Sequence, residues 1–209
     1  MVTAVLFDLD GTLLDTLQDL ADSTNAALRA FGYPERTVEE VRRFVGNGAE
    51  RLIRLAVPEG ADPLPVLAAF RDHYQAHCRE KTGPYEGIPA LLAQVAQRWP
   101  VAIVSNKPDS AVKALCQDHF PGIYALGESE DCPRKPAPDM VYKAMAALGA
   151  ERCVYVGDSE VDILTAKNAG AVCVSVLWGF RDEETLRDAG ATCLCDTPRQ
   201  VLERIERMM

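Results

Sequence analysis

The sequence has little of what marks a membrane-bound or nucleic-acid-binding protein. Its longest apolar runs are far shorter than the ~18 residues that span a bilayer. Lys and Arg together number 22 against 31 Asp and Glu, which gives a net charge of -9. Nucleic acids and anionic membranes both attract basic surfaces, so we expect neither as the main partner. An anionic substrate would have to be held by local positive charge or by a metal ion.

Cysteine and histidine are also sparse in patterns that carry chemistry. The seven cysteines are an odd number and include no C-x-x-C pair, which favours free thiols in a reducing compartment over disulfides or a redox role. The N-terminal stretch MVTAVLFDLD lacks a basic region and a small-residue cleavage site. We therefore expect a cytoplasmic protein. Three scattered histidines make a histidine-based metal site improbable.

Short apolar runs alternate with helical patterns along most of the chain. The runs predicted to be strands are 4–7, 101–104, 153–156, 172–177 and 192–195. Helices are predicted over 89–98, 110–119, 138–148, 161–169 and 183–188. Continuous apolar runs of this length are typical of strands buried on both faces. The pattern predicts an α/β fold with a mainly parallel sheet.

One interval breaks this alternation, because residues 16–81 contain helix signals and no strand signal. Apolar residues recur at helical spacing from Leu17 to Phe31. Thr37 and Glu40 have the spacing of a capping box, and further helices are predicted at 48–56 and 63–80. A connection this long is expected to form a subdomain, often a lid. We predict an α/β core of residues 1–15 and 82–209, with a helical insert at 16–81.

Polar side chains follow three of the predicted strands. The C-terminal ends of parallel strands share one edge of a sheet, where ligands bind. We expect that edge to gather the residues that follow the first, second and third of these runs: Asp8, Asp10, Ser105, Asn106, Asp158 and Asp162. Lys135, just before a predicted helix, adds a cation.

This set of side chains suits phosphate chemistry. Carboxylates from two strands form an oxygen-rich site of the kind that Mg²⁺ prefers. A lysine, a serine hydroxyl and an amide suit a phosphate group. An aspartate can attack phosphorus and form an aspartyl-phosphate, while a second aspartate carries out acid-base work. Each short motif alone has a structural explanation, but their combination and order predict a functional site.

These residues resemble the four motifs of the haloacid dehalogenase superfamily. The motifs are Asp8-Leu9-Asp10-Gly11-Thr12, Ser105, Lys135, and the segment from Gly157 to Asp162. The resemblance covers nearly the whole chain. It implies a Rossmann-like three-layer core with a mainly parallel sheet, and an α-helical cap inserted after the first strand. Dehalogenase members lack the second aspartate, so Asp10 points to phosphate chemistry.

The resemblance also implies a role for each motif residue. Asp8 would be the nucleophile and Asp10 the general acid and base. Ser105 and Lys135 would hold phosphoryl oxygens, with Asn106 assisting. Thr12 is a further candidate substrate contact. The Mg²⁺ ligands would be Asp8, Asp158 and the backbone carbonyl of Asp10, with Asp162 as a support or as a ligand through water.

Within the superfamily, three weaker stretches resemble phosphoglycolate phosphatases. They are Asp19-Leu20-Ala21 with residues to Pro34, Val45 to Ala49, and Trp178 to Arg181. In the helical insert, Gly48 could let the backbone approach a small substrate. Arg51 could hold a substrate carboxylate by a bidentate contact. A simple turn between two helices explains this glycine equally well.

We therefore predict a Mg²⁺-dependent phosphatase of a small phosphorylated metabolite, with phosphoglycolate first. A phosphomutase of the same fold, similar to β-phosphoglucomutase, and a pyrophosphatase are alternatives. A non-catalytic regulator that keeps the fold is a further possibility, against which the complete motifs argue. The sequence leaves the choice between a monomer and a homodimer open.

Overall fold

The computed structural model describes residues 2–209, and the chain divides into two compact units. An α/β unit contains the segment that ends at Leu14 together with Pro84–Met209. A helical unit contains Asp15–Gly83. The chain passes between the units twice, each time within a short strand. These strands are β2 (Leu14–Asp15) and β3 (Gly83–Pro84).

The α/β unit is built on a parallel sheet of six strands. In chain order they are β1 (Thr3–Phe7), β4 (Val101–Pro108), β5 (Tyr124–Glu128), β6 (Arg152–Gly157), β7 (Val172–Val176) and β8 (Leu194–Cys195). Their spatial order is β5-β4-β1-β6-β7-β8, and every pair is parallel. The predicted α/β class with a mainly parallel sheet is therefore confirmed. The central position of β1 places the residues that follow it in the middle of the C-terminal edge.

Helices cover both faces of this sheet. They are α5 (Ile88–Ala96), α6 (Asp109–His119), α7 (Asp139–Ala147), α8 (Glu160–Asn168), α9 (Glu183–Asp188) and α10 (Pro198–Met208). Val5 and Phe7 of β1 belong to a core cluster with residues of α5, α6 and α10. Ala4 and Leu6 belong to a second cluster with residues of α7 and α8. Alternate residues of a strand face opposite sides, so this single strand packs against both helical layers.

The helical unit contains four helices. They are α1 (Leu17–Ala30), α2 (Val38–Phe44), α3 (Gly48–Ala56) and α4 (Pro63–His77). The Thr37 side chain accepts from the Glu40 amide at 3.2 Å, and the Glu40 carboxylate accepts from the Thr37 amide at 2.8 Å. This reciprocal pair starts α2 and confirms the capping box predicted from the sequence.

Two elements of the α/β unit escape prediction from the sequence. Strand β5 has the sequence YALGE, in which apolar residues are few and Gly127 interrupts the run. Helix α10 buries Val201 and Ile205 and packs Leu202 and Met208 against the same core, so it carries the apolar spacing of a helix although none is predicted there. The last predicted strand, 192–195, is shorter than expected, since β8 contains only Leu194 and Cys195.

The cysteines agree with a chain that does not depend on disulfides. All seven cysteines are free thiols, and six of them are buried. Within residues 2–209, no helix is both long and apolar enough to cross a bilayer.

A buried carboxylate closes the helical unit. Asp19, in the first turn of α1, is 2% exposed. Its carboxylate accepts from the amides of Lys81 and Thr82 at 2.9 to 3.1 Å and from the Thr82 hydroxyl at 2.8 Å. A carboxylate is costly to bury unless it is hydrogen-bonded. These contacts tie the end of the unit to its first helix.

We expect Asp19→Ala to lower the free energy of unfolding by about 2 kcal/mol, because it leaves buried donors without an acceptor. Asp22→Ala is the matched control on the same helix. Asp22 also contacts Lys81, through the Lys81 ammonium at 2.6 Å, but this pair is exposed and contributes little. Urea unfolding of both variants measures the difference. Equal losses would show that the buried contacts of Asp19 are not what stabilises the unit.

Candidate active site

The C-terminal edge of the sheet gathers the polar residues that follow β1 and β6. Asp8 directly follows β1, and its amide donates to the Val156 carbonyl at 2.9 Å. Asp158 directly follows β6, and Asp162 lies in the first turn of α8. Each of these three aspartates offers an oxygen, and the three oxygens lie within 4.8 Å of one another. Among the described residues, this is the one such group that could hold a metal ion.

Lys135 connects two of these carboxylates. Its ammonium donates to Asp8 Oδ1 at 2.7 Å, to Asp162 Oδ1 at 2.8 Å and to the Tyr155 hydroxyl at 3.1 Å. The lysine is 2% exposed and Tyr155 is fully buried. A buried ammonium is tolerated where its donors are satisfied by carboxylates. The lysine therefore lies inside the carboxylate cluster and not on the surface.

Asn106 fixes the backbone from which this lysine projects. Its side-chain amide donates to the Lys135 carbonyl at 3.0 Å, and the Lys135 amide donates to Asn106 Oδ1 at 2.7 Å. The sequence predicts Asn106 as a substrate contact. In the structure, these two bonds direct its side chain to the Lys135 backbone, so its geometric effect is to position the ammonium.

The Asp158 carboxylate is held by two donors. The Thr12 hydroxyl donates to Oδ1 at 3.0 Å, and the Phe180 amide donates to Oδ2 at 2.7 Å. A side chain at Gly11 would overlap this carboxylate, and Gly11 has a φ of +83° that favours glycine. The predicted substrate contact Thr12 thus orients a carboxylate of the cluster. Oriented carboxylates of this kind surround metal sites.

Asp162 is bound on both of its oxygens. Oδ2 accepts from the Ser159 amide at 3.1 Å and from the Ser159 hydroxyl at 2.7 Å, which caps α8. Oδ1 accepts from Lys135 and from Tyr155, the latter at 3.3 Å. These contacts agree better with support of the lysine than with direct use of both oxygens by an ion.

Asp10 has a different environment from Asp8. The Lys107 ammonium lies 2.7 Å from Asp10 Oδ1, and the Ser105 hydroxyl donates to Oδ2 at a longer 3.4 Å. The side chain of Asp10 is 14% exposed. The two aspartates of the first motif therefore contact different lysines.

Burial dominates the electrostatics of the cluster. Desolvation, and then the nearby charge of Asp162, raises the pKa of Asp158 to about 7. Desolvation also raises the pKa of Asp8 well above its usual value, with Lys135 opposing the shift. Burial lowers the pKa of Lys135, but the charges of Asp162 and Asp8 raise it by more. The pKa of Lys135 therefore lies well above its usual value, and the ammonium stays charged. The pKa values of both carboxylates are thus raised first by burial and then by repulsion from Asp162.

The donor set fits a divalent cation. When ionised, the three carboxylates of Asp8, Asp158 and Asp162 face one ammonium, that of Lys135. Two negative charges then remain in a buried region. Hard oxygen ligands with this excess charge are suited to Mg²⁺ or Ca²⁺.

Two predicted substrate contacts lie in the helical unit. Gly48 starts α3 with a φ of +83°, and Arg51 is an exposed residue of the same helix. The structure thus gathers the other predicted residues in the α/β unit and leaves these two in the helical unit.

Three participants in the site are not predicted from the sequence. Lys107 and Tyr155 lie inside strands β4 and β6, and the Phe180 amide is a backbone group that no residue type reveals. Only Lys107 left a signal. It stands two residues after Ser105, so its side chain is expected on the same face of the strand.

Comparison with known proteins agrees with this geometry. A model of the haloacid dehalogenase-like hydrolase family matches residues 5–176. A phosphoglycolate phosphatase from Vibrio vulnificus is 33% identical over 97% of this chain and 95% of its own. An N-acetylmuramic acid 6-phosphate phosphatase from Pseudomonas aeruginosa is 32% identical over 99% of this chain and 96% of its own.

A solved structure is also similar to this chain along nearly its whole length. A candidate phosphoglycolate phosphatase from Lactobacillus delbrueckii subsp. bulgaricus has a TM-score of 0.92 and 38% identity, over 97% of both chains. The family resemblance predicted from the four motifs is confirmed. The chain belongs to the haloacid dehalogenase-like hydrolase family.

Proposed function

We propose that the protein is a Mg²⁺-dependent phosphatase that hydrolyses a small phosphorylated metabolite, most favourably phosphoglycolate, through an aspartyl-phosphate. The observation that carries this proposal is the buried contact of Lys135 with Asp8, beside Asp158 and Asp162. A buried carboxylate next to an ammonium is placed to attack a phosphorus whose oxygens the same ammonium can bind. The phosphatases among the relatives support the same activity.

The first half of the reaction uses both aspartates. An oxygen of Asp8 forms a bond to phosphorus while the bond from phosphorus to the leaving oxygen breaks. Asp10 donates a proton to that leaving oxygen. Lys135 and the Ser105 hydroxyl hold phosphoryl oxygens, with Asn106 keeping Lys135 in place.

In the second half, Asp10 accepts a proton from a water molecule, which attacks the phosphorus of the aspartyl-phosphate. Inorganic phosphate leaves, and the Asp8 carboxylate is restored. Asp8, Asp158 and the backbone carbonyl of Asp10 would hold Mg²⁺, with Asp162 supporting them. When bound, Mg²⁺ supplies positive charge that offsets the charge of the phosphoryl group.

The substrate belongs to the proposal as well. We assign Gly48 and Arg51 of the helical unit as candidates for substrate contact, and Thr12 of the α/β unit as the residue that orients Asp158. The helical unit is inserted directly after the first strand, and we assign it a part in the selection of small substrates. A sugar phosphate is the second candidate, which the relative active on N-acetylmuramic acid 6-phosphate favours.

A panel of substrates separates these candidates. It contains phosphoglycolate, N-acetylmuramic acid 6-phosphate, pyrophosphate and several hexose phosphates, compared by kcat/KM. We expect phosphoglycolate to have the highest value. Conversion of a hexose phosphate to its isomer without release of phosphate would instead identify a phosphomutase, and preference for pyrophosphate would identify a pyrophosphatase.

We expect Asp8→Asn to abolish phosphate release, because an amide oxygen is a far weaker nucleophile than a carboxylate. The fold should be retained, as the substitution is nearly isosteric. Asp188→Asn, an exposed change on α9, is the control and should keep normal turnover. Normal turnover of the Asp8→Asn protein, with its thermal unfolding unchanged, would exclude Asp8 as the nucleophile.

Removal of the metal should stop the reaction and lower stability in a pH-dependent way. The pKa of Asp158 is about 7 in the folded chain against an ordinary value of 3.8. Between these values the folded chain holds a proton that the unfolded chain releases, so the metal-free protein loses stability as the pH rises through this window. A cation competes with that proton at pH 5 but much less at pH 8.

We therefore expect EDTA to abolish turnover and Mg²⁺ to restore it. We also expect millimolar Mg²⁺ to raise the Tm by several degrees at pH 8 and by less at pH 5. Asp158→Asn should lose the Mg²⁺ effect, whereas Asp188→Asn should keep it. Activity that resists EDTA, or a larger Tm shift at pH 5, would contradict the metal assignment.

A further inference from the structure

A second buried lysine lies in the α/β unit, and the roles above do not use it. The side chain of Lys107 is 4% exposed, and its ammonium lies 2.7 Å from Asp10 Oδ1. A lysine is almost never buried unless it is paired. The pair is distinct from the Lys135 cluster, because Lys135 contacts Asp8 and Asp162.

The end of β4 gives Lys107 its direction. Ser105 and Lys107 both contact the Asp10 carboxylate, whereas Asn106 between them contacts the Lys135 backbone. This is the alternation expected of an extended chain. The pairing of β4 with β5 shifts register between Val104 and Pro108, and such irregularities re-aim side chains near active sites.

The neighbouring strand fixes the backbone of Lys107. A Cβ on Gly127 would lie 2.6 Å from the Lys107 carbonyl oxygen, so only glycine allows β5 to approach this closely. The Gly127 amide also donates to Asp109 Oδ1 at 3.0 Å. The chain at Lys107 and just after it thus lies against β5, which constrains the direction of the Lys107 side chain.

We propose that Lys107 is a positioning residue for Asp10. Its ammonium binds Oδ1 and turns the Asp10 side chain away from the carboxylate cluster. Asp10 then faces the leaving oxygen of the substrate and the incoming water, and its carboxylate does not compete for the metal. This inference rests on the proposed phosphatase activity, since it assigns a residue to the acid-base step of that reaction.

The test compares leaving groups. p-Nitrophenolate leaves phosphorus without a proton, whereas an alkoxide needs one from a general acid. The three substrates are p-nitrophenyl phosphate, phosphoglycolate and 2-hydroxyethyl phosphate, the last of which has an alkoxide leaving group but no carboxylate. The quantity measured is kcat/KM, which reports the steps up to departure of the leaving group.

We expect Lys107→Met to lower kcat/KM about 100-fold for both alkyl phosphates, the usual contribution of a general acid. For p-nitrophenyl phosphate kcat/KM should change by less than about 5-fold, while kcat falls and the aspartyl-phosphate accumulates in acid-quenched samples. Lys107→Arg keeps the charge and should restore part of the rate. Lys113→Met is the control, since Lys113 also pairs with an aspartate, Asp109, but is 65% exposed.

Each other outcome overturns the inference. Equal losses for all three substrates would indicate a merely structural lysine. A loss for phosphoglycolate alone would indicate that Lys107 binds the substrate carboxylate. If Lys107→Met does not fold, Lys107→Gln serves for the same comparison and should show the same order of losses. A wild-type protein that releases phosphate from none of these substrates, nor from the panel above, would overturn the proposed function itself.

Discussion

The site depends on one interaction, the burial of the Lys135 ammonium between the carboxylates of Asp8 and Asp162. Without this ammonium, three carboxylates would share a buried region with no cation from the protein, and burying such charges costs several kcal/mol per ion. The surrounding structure serves this contact. Asn106 fixes the backbone of the lysine, and Tyr155 accepts its remaining hydrogen bond. The ammonium still leaves the cluster negative, which is the property that a divalent cation would satisfy.

Two lysines divide the first motif into two electrostatic environments. Asp8 lies in a dry cluster that raises its pKa, whereas Asp10 pairs with Lys107 at a more exposed position. The proposed reaction gives the two carboxylates different tasks, and each carboxylate has its own ammonium partner. Asp8 and Asp10 are separated by a single residue, so their different environments come from other parts of the chain. Lys107, the partner of Asp10, lies on β4, and Lys135, the partner of Asp8, lies in the segment before α7.

The sequence predicts the sheet, most helices and the carboxylate edge, because all three depend on local pattern and on where parallel strands end. It predicts the lysine of the cluster as a cation near this edge, from its place just before a predicted helix, but the contacts of its ammonium with Asp8 and Asp162 are tertiary. Lys107, Tyr155 and the Phe180 amide escape prediction altogether. Their contacts are also tertiary, and the residue types involved are ordinary at the end of a strand or in a loop. Strand β5 is missed because its apolar run is only three residues long.

The central place of β1 in the sheet has a consequence for synthesis of the protein. Phe7 pairs with Ile103 on one side and with Val156 on the other. A ribosome needs on the order of ten seconds to make the chain between the first strand and its last partner. Until β4 is made, this apolar strand has no partner on either edge, and until β6 is made it has a partner on one edge at most, so it is open to aggregation. The helical unit is complete much earlier, because its contacts are local. The order of elements in the chain therefore makes the nascent first strand the part most in need of a chaperone.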